Sequence, residues 1–516
     1  MAVSNPKSSK KARKARSSPR SPLPKLYRWP AAVAVGLFCL AMLAYITIYA
    51  QYLGTALVLA LILALLVACG SAIAYILEAV GSYGMVVLLT KTGISFIDSL
   101  SRRYGRQWKA IVDWGFVLSF GLLSVLIFKK YASKKMFAFG IVSIIAMQLF
   151  ILPYLSIAYQ IIQIPQLNFG GTSASSPYAV NSPLDIFGIQ INAIGLVFTI
   201  LSVIGGFALF ILSELAYIAA IIIHGIVVFA LSALAAPNAA HSSASTLPPP
   251  AGVPLPVIFF LDPSVIIPIL LALIFLVVVH EFSHGVIARQ SSIKIKNIGA
   301  ALFGIIPIGA LVDVDEKGVS KLPAKYQDKI SIAGVSLNFF LTIVFFALFL
   351  LIIYVVVPPL VANSVYIYAV VAGSPAQHVI PSGAIVYKWN GYKISNISNL
   401  KVAAAKDLPY STVNISTNYG NYSVVANATG KIGVELSERV MPKPGIIPAI
   451  GNFIYEFIGL SFMLNFYVAI FNILPIPLFD GWRIYKLKLG SKSMRIITIA
   501  AVIILIMLFV PFIWYH

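Results

Sequence analysis

Five consecutive residues in an apolar stretch carry side chains that can bind and use a metal ion: His280, Glu281, Phe282, Ser283 and His284. On a helix, residues four positions apart share a face, so the imidazoles of His280 and His284 can reach one ion. Glu281 would then polarise a water on that ion, as in soluble zinc proteases. In this chain, however, the pattern closes an apolar run that is long enough to span a membrane.

A catalytic zinc ion takes three protein ligands and a water, so two histidines need a third partner. Asp480 is the candidate because an acid at the end of an apolar span is costly unless it is paired or bound to a metal. Pro475 and Pro477 interrupt the helix just before it. At that depth the freed backbone groups must face protein or a cavity, and such a site can admit an extended peptide.

The elements that position these residues are predicted to lie in a membrane. The chain has 516 residues, of which 59% are hydrophobic and 10% are charged, and its mean hydropathy is +0.93. A soluble domain carries about 25% charged residues. Apolar runs of roughly 18 residues or more predict transmembrane helices. The candidate spans are 30–50, 54–80, 136–159, 187–212, 214–235, 263–289, 333–358, 449–476 and 493–514.

The distribution of charge predicts the orientation of these spans. The net charge is +21, and residues 1–28 hold nine Lys or Arg and no acid. We predict a disordered cytoplasmic tail that touches anionic lipid; the alternative is a docking arm for a partner, and nucleic acid is not expected. Segments 290–332 and 483–495 are basic and belong inside, whereas the charge-poor segments 160–184 and 236–256 belong outside, the latter as a linker.

The N-terminal transmembrane region, residues 30–235, is predicted to make about five crossings. A shorter apolar run at 110–128 has basic residues on both flanks, which a re-entrant or interfacial element would satisfy and a full crossing would not. Cys39 and Cys69 lie in apolar segments, so they imply neither a disulfide framework nor a cysteine-based zinc site.

Residues 359–441 have a different, polar composition. Alternating runs at 411–416 and 422–427 predict strands bounded by turn residues. Four Asn-x-Ser/Thr sequons fall in this segment, at Asn396, Asn414, Asn421 and Asn427. Sequons suit an external location, which the charge rule gives independently. We therefore predict a small β-rich extracytoplasmic domain.

Three motifs, in order along the chain, resemble those of the site-2 proteases, a family of intramembrane zinc metalloproteases. The first is HEFSH at 280–284, the second is GVSLN at 334–338, and the third is NxxPxxxxDG at 472–481. The resemblance implies a catalytic membrane core in two parts, residues 257–358 and 449–514. It does not explain the region before residue 236.

The resemblance also implies a role for each candidate site residue. It implies three zinc ligands: His280, His284 and Asp480. Glu281 would be the general base that activates water and then passes a proton to the leaving amine. Asn338 and Asn472 would bind the substrate backbone or steady an oxyanion. The activity implied is hydrolysis of peptide bonds within transmembrane segments, as in regulated intramembrane proteolysis.

Residues 359–441 resemble the PDZ insert that many members of this family carry at the same point. The resemblance rests on residues 373–376, Gly383 and residues 389–391, although Ala384 stands where the family commonly has Asp. A PDZ domain would bind an extended chain by strand addition. The alternative is a small β domain that only blocks access, and a size filter fits both.

The prediction is therefore an α-helical multi-span membrane protein with an inserted small β-rich, PDZ-like extracytoplasmic domain, placed in the cell membrane. Its expected cofactor is Zn2+, and its expected partners are the lipid bilayer and transmembrane protein substrates. Two alternatives remain open, a metal-binding scaffold without catalysis and an ion transporter. A transporter leaves the HExxH pattern and its Asp-Gly partner unexplained, and a scaffold predicts that Glu281→Gln changes nothing.

Overall fold

The structure is a computed structural model that describes most of the chain. The described residues are 23–49, 55–128, 132–159, 184–186, 189–191, 193–235, 263–443, 445–477 and 479–507. Residues 1–22 of the predicted tail and the whole of the predicted linker 236–256 lie outside them. The chain divides into two compact units, the first formed by residues 1–346 with 459–516 and the second by residues 347–458.

The first unit begins with two helices that pack together through apolar faces. These are α1 (Lys25–Tyr49) and α2 (Thr55–Leu77), and the free thiols of Cys39 and Cys69 are buried between them. The elements that follow are β1 (Val80–Ser82), β2 (Met85–Thr90), α3 (Ile94–Arg103), α4 (Gly105–Phe120), α5 (Leu123–Phe128), α6 (Lys134–Ala146), a π-helical turn (Met147–Ile151), α7 (Leu152–Tyr159), β3 (Leu184–Ile186), β4 (Ile189–Ile191) and α8 (Ala193–Ala235).

Two glycines in close contact interrupt the helices of this region. Gly121 (φ 53°) separates α4 from α5, inside the segment 110–128. Gly206 (φ 64°) has a non-helical backbone within α8. A Cβ on either glycine would overlap backbone atoms of the other segment, so both positions require glycine. Two helical segments therefore meet at Gly206, which lies before the boundary predicted between the spans 187–212 and 214–235.

The next elements carry the candidate chemistry. They are α9 (Pro263–Gln290), β5 (Ile295–Phe303), β6 (Ile306–Val314), α10 (Glu316–Ser320) and α11 (Ala324–Leu351), followed by a π-helical turn (Ile352–Val356) and a 3-10 turn (Pro358–Leu360). An antiparallel sheet in the order β1-β2-β5-β6 packs on α9 through Val286, Ile298 and Val312. The hairpin of β5 and β6 was not predicted from the sequence.

The second unit contains a six-stranded sheet with one short helix. Its elements are β7 (Val361–Val370), β8 (Ile385–Trp389), β9 (Tyr392–Lys393), α12 (Ile397–Ala404), β10 (Thr412–Thr417), β11 (Gly420–Val425) and β12 (Val434–Pro442). The strand order is β11-β10-β8-β7-β12, with β9 on β8. Val365, Val386, Trp389 and Ile415 are in its buried core. A small β-rich unit is therefore present; its likeness to a PDZ domain and its side of the membrane remain predictions.

Three helices complete the described chain: α13 (Ile446–Asn472), α14 (Asp480–Lys488) and α15 (Ser491–Met507). Among the described residues, seven helices are long and apolar enough to cross a membrane. They are Lys25–Ile46, Ala60–Leu77, Lys134–Leu155, Gly195–Val228, Val265–Gln290, Ala324–Val356 and Ile446–Asn472. The chain is thus mostly helical and has the composition of a multi-pass membrane protein.

Candidate metal centre

The two histidines of the HExxH pattern meet on one face of α9, as their spacing requires. The Nε2 atoms of His280 and His284 lie 3.3 Å apart. His280 is 8% exposed, and His284 is also largely enclosed. Helical periodicity alone thus brings two nitrogen donors to one point inside the first unit.

Asp480 joins these histidines from a position 200 residues further along the chain. α13 ends at Asn472, and α14 begins at Asp480 itself. The Oδ2 atom of Asp480 lies 3.1 Å from His280 Nε2 and 3.2 Å from His284 Nε2. The interruption between the two helices therefore delivers an oxygen donor to the pair of imidazoles.

The turn between α13 and α14 has its own structural requirements. A Cβ at Gly481 would overlap the backbone of Ile473, so the residue after Asp480 must be glycine for the turn to close. Thr498 of α15 donates a hydrogen bond of 2.8 Å from its hydroxyl to the carbonyl oxygen of Pro475. The proline that interrupts the helix thus leaves a carbonyl group that a neighbouring helix satisfies.

The three donor atoms fit a tetrahedral zinc ion. Ligands at about 2.0–2.1 Å from zinc are separated from each other by about 3.3 Å in a tetrahedron. The observed separations between Nε2 of His280, Nε2 of His284 and Oδ2 of Asp480 are 3.1, 3.2 and 3.3 Å. Asp480 Oδ2 is also buried without a hydrogen-bond donor among the described residues. A cation at the centre of this triangle would satisfy all three atoms.

The other ring nitrogens of the two histidines are held by neighbouring groups of α11. Nδ1 of His284 lies 2.7 Å from the carbonyl oxygen of Ile330, to which it donates. Nδ1 of His280 lies 3.0 Å from the carboxamide Nδ2 of Asn338, whose Oδ1 is buried and has no hydrogen-bond partner within the described ranges. Turning this carboxamide over lets Oδ1 accept the Nδ1–H of His280, which satisfies both groups. Each Nε2 then presents a lone pair to the centre.

Glu281 lies beside the triangle. Its carboxylate and the ring nitrogens of His280 and His284 have donor atoms within 4.8 Å of one another. Glu281 Oε2 accepts a hydrogen bond of 3.2 Å from the backbone N–H of Val312 in β6. The Glu281 carboxylate thus lies next to the three donor atoms and is held there by the backbone of β6.

A glycine on α11 makes room for the rings. A Cβ at Gly334 would overlap the imidazole atoms of both His280 and His284. Glycine is therefore required at the first position of the GVSLN motif for a steric reason, which the sequence alone did not reveal. The helix that orients the histidines through Ile330 and Asn338 also approaches them closely at Gly334.

The two residues that precede Ile330 in the chain form ion pairs that connect other elements to α11. Lys329 forms an ion pair with Asp113 of α4. Asp328 is fully buried and pairs with Lys488 at the end of α14, with 2.9 Å between Oδ2 and Nζ. Since α14 begins at the third donor, this buried pair fixes the far end of the helix that carries it. No local pattern predicts this pairing, because 160 residues separate the partners.

The two asparagines predicted to bind substrate occupy different places. Asn338 is fully buried and contacts His280, so the structure gives it a contact with the metal centre. Asn472 is the last residue of α13 and is half-buried, eight residues before Asp480. Among the described residues, its carboxamide forms no hydrogen bond with the histidines or with Asp480.

Comparison with known proteins gives two findings. The model of peptidase family M50 matches residues 268–513, which include all six candidate site residues. A protein of Methanocaldococcus jannaschii described as uncharacterized is 28% identical over 249 residues, which are 47% of this chain and 62% of the relative. The chain thus spans less than two thirds of the length of that relative.

Proposed function

We propose that this protein is an intramembrane zinc protease, because residues 268–513 match the model of peptidase family M50, the family of the site-2 proteases. The family resemblance found in the three motifs is confirmed, and the family indicates a membrane metallopeptidase. The zinc and the cleavage of peptide bonds within transmembrane segments are our proposal. The observation that carries it is the triangle of His280, His284 and Asp480, whose edges match those of a tetrahedral zinc site.

The residues of the chain divide the chemical work. Zinc, when bound, would supply a Lewis acid that activates water and polarises the scissile carbonyl. Glu281 takes the proton of the attacking water and returns it to the leaving amine. The Val312 N–H holds the Glu281 carboxylate in place, and Ile330 and Asn338 hold the imidazoles.

The position of β6 supports binding of a substrate as an extended chain. β6 is the outermost strand of its sheet among the described residues. The N–H of Val312 points to Glu281 instead of to β5. Alternate residues of a strand direct their backbone groups to the same side, so Ala310 also offers its N–H and C=O on this side. A transmembrane segment that unwinds can pair with this edge beside the catalytic base.

We also propose the predicted placement and partners. The basic segments face the cytoplasm, the PDZ-like second unit lies outside as a size filter, and the substrates are membrane proteins in the same lipid bilayer, cut in regulated intramembrane proteolysis. The charge rule and the sequons support this orientation. No nucleic acid is expected as a partner, because the net charge of +21 includes a basic tail and basic segments beside spans.

The test is to compare the purified wild-type chain with Glu281→Gln, in liposomes that contain a model membrane-spanning peptide. We expect one zinc per chain in both proteins and loss of cleavage only in the variant, because the ligands are intact and the base is removed. Glu316→Gln is the matched control, since Glu316 is exposed and pairs only at 3.4 Å with Arg483. Unchanged cleavage in Glu281→Gln would contradict the proposal and favour the scaffold.

A further inference from the structure

A basic cavity lies on the first unit, where the turn between α3 and α4 meets the end of α9. Its volume is about 700 Å³. Five of its lining residues are cationic: Arg102, Arg103, Arg106, Lys109 and Arg289. Among the described residues, none that lines it is acidic. The cavity is separate from the metal centre, and no step of the proposed reaction uses it.

Most of this positive charge is available to a ligand. Arg289 is neutralised by Asp98, with Nε to Oδ1 at 2.5 Å and Nη2 to Oδ2 at 3.0 Å. In contrast, Arg102, Arg103 and Arg106 are exposed and form no ion pair within the described part of the chain. Positive charges that lie close together with no acidic partner repel one another. An anion bound between them would offset this electrostatic repulsion.

The N-terminus of α4 adds to the positive electrostatic potential of the cavity. α4 begins at Gly105 on the wall of the cavity and runs for 16 residues. In the part of the chain that the structure describes, no side chain caps its first turn. The first N–H groups of a helix have no partner within it, and the helix dipole favours negative charge at this end. Gly105, Arg106 and Gln107 of this turn all line the cavity.

Gln290 provides an independent sign that a polar ligand is needed. It lines the cavity at the last position of α9, packed beneath Gly105. Both its Nε2 and its Oε1 are buried without a hydrogen-bond partner among the described residues. A buried carboxamide with neither group satisfied destabilises the fold. A ligand with oxygen acceptors and a hydroxyl donor can satisfy both.

We propose that this cavity binds a phosphate group, carried either by an anionic phospholipid or by free phosphate. Arginine guanidinium groups and helix N-termini both suit phosphate oxygens. The cavity lies at the end of α9, which is one of the helices long enough to span a membrane. Beside it, α3 buries Ile97 and leaves Phe96 54% exposed, as expected of a helix lying at a lipid surface.

The test measures binding of two probes to the full-length protein in neutral detergent. The probes are dihexanoyl phosphatidylglycerol and inorganic phosphate, titrated by calorimetry. The variant Arg102→Gln/Arg106→Gln removes two cations of the cavity. The matched control Lys492→Gln/Arg495→Gln removes the same charge from exposed positions of α15, in another basic segment. Melting curves and zinc content report whether each protein is folded, and Arg106→Gln alone replaces the double variant if that protein does not fold.

We expect at least one probe to bind the wild type and the control alike, and the cavity variant about tenfold or more weakly. Binding of the lipid without competition by inorganic phosphate identifies a lipid headgroup. Competition by inorganic phosphate at similar concentrations identifies a site for free phosphate. Equal binding to the wild type and the cavity variant would overturn the proposal. An equal loss in the control would also overturn it, because the attraction would then belong to the overall charge.

Discussion

The candidate metal centre is built from two regions that are constructed differently. His280 and His284 lie on α9, a single helix, and their separation follows from one helical turn. Asp480 lies beyond the interruption between α13 and α14, and its position depends on contacts from other elements. The first region is set by local geometry, whereas the second is set by tertiary packing. Substitutions that disturb packing should therefore affect the aspartate before they affect the histidines.

The largest expected effect comes from removing a donor in either region. His284→Ala and Asp480→Ala should each weaken zinc binding by more than about 100-fold, since loss of an outer partner alone costs 10–100-fold. Cleavage should be lost in both. Zinc affinity measured by competition with a chelator checks this, and wild-type affinity in Asp480→Ala would show that the aspartate is not a ligand.

Gly334→Ala disturbs the two histidines by steric overlap alone. The added methyl group would overlap both imidazoles, so we expect loss of zinc comparable with the loss of a donor, although every donor is still present. Gly490→Ala is the control, because a Cβ at Gly490 meets no atom within 4 Å. Zinc stoichiometry distinguishes them, and a Gly334→Ala protein with full zinc would contradict the close approach of α11.

Lys488→Met disturbs the tertiary contacts that position Asp480. It removes the ammonium group that forms an ion pair with the fully buried Asp328 carboxylate, which should cost about 3–5 kcal/mol in the free energy of unfolding. Zinc affinity should fall as well, because the far end of α14 is no longer fixed. Lys486→Met on the same helix is the control, since Lys486 is exposed and lies over the ring of Trp482.

The double variant Lys488→Met/Asp328→Leu sharpens this test. It replaces both charges with apolar side chains, so most of the stability should return. If the pair positions Asp480 through α14, zinc affinity should return with it. Stability that recovers while zinc affinity stays low would assign the ion pair a direct electrostatic role at the centre.

The smallest of these effects is expected from Asn338→Leu. The substitution removes the group that orients His280, so zinc affinity should fall by about 10–100-fold. Steady-state kinetics at saturating zinc separates this role from the substrate contact predicted from the family motif. If Asn338 only positions His280, KM should stay near the wild-type value. A raised KM with unchanged zinc affinity would instead show that Asn338 binds the substrate.

The histidine pair and Asp480 could be predicted from the sequence for different physical reasons. The spacing of His280 and His284 reports helical geometry directly, and the acid at Asp480 stands out because charge is costly in an apolar setting. The β5–β6 hairpin was missed although Gly304 and Ile305 form a two-residue turn with Gly304 at φ 64°. Its strands lie beside basic residues, whose charge indicates topology and conceals the alternation of the strands.

Other features left no trace in the sequence. The steric role of Gly334 depends on how closely α11 approaches α9, which no local pattern records. The kink at Gly206 depends on its contact with the segment around Gly121. The pairing of Asp328 with Lys488 joins distant parts of the chain. Each of these is a property of packing and becomes visible only in the folded molecule.

The most direct measurement is zinc K-edge X-ray absorption of the zinc-loaded wild-type chain and of Asp480→Ala loaded to saturation. We predict two imidazole nitrogens and one carboxylate oxygen at about 2.0–2.1 Å in the wild type, with water completing the shell. The variant should keep the imidazole scattering and replace the carboxylate oxygen with a water oxygen, so that scattering from the carboxylate carbon is lost. An identical spectrum in both proteins, or a wild type that binds no zinc, would contradict the account.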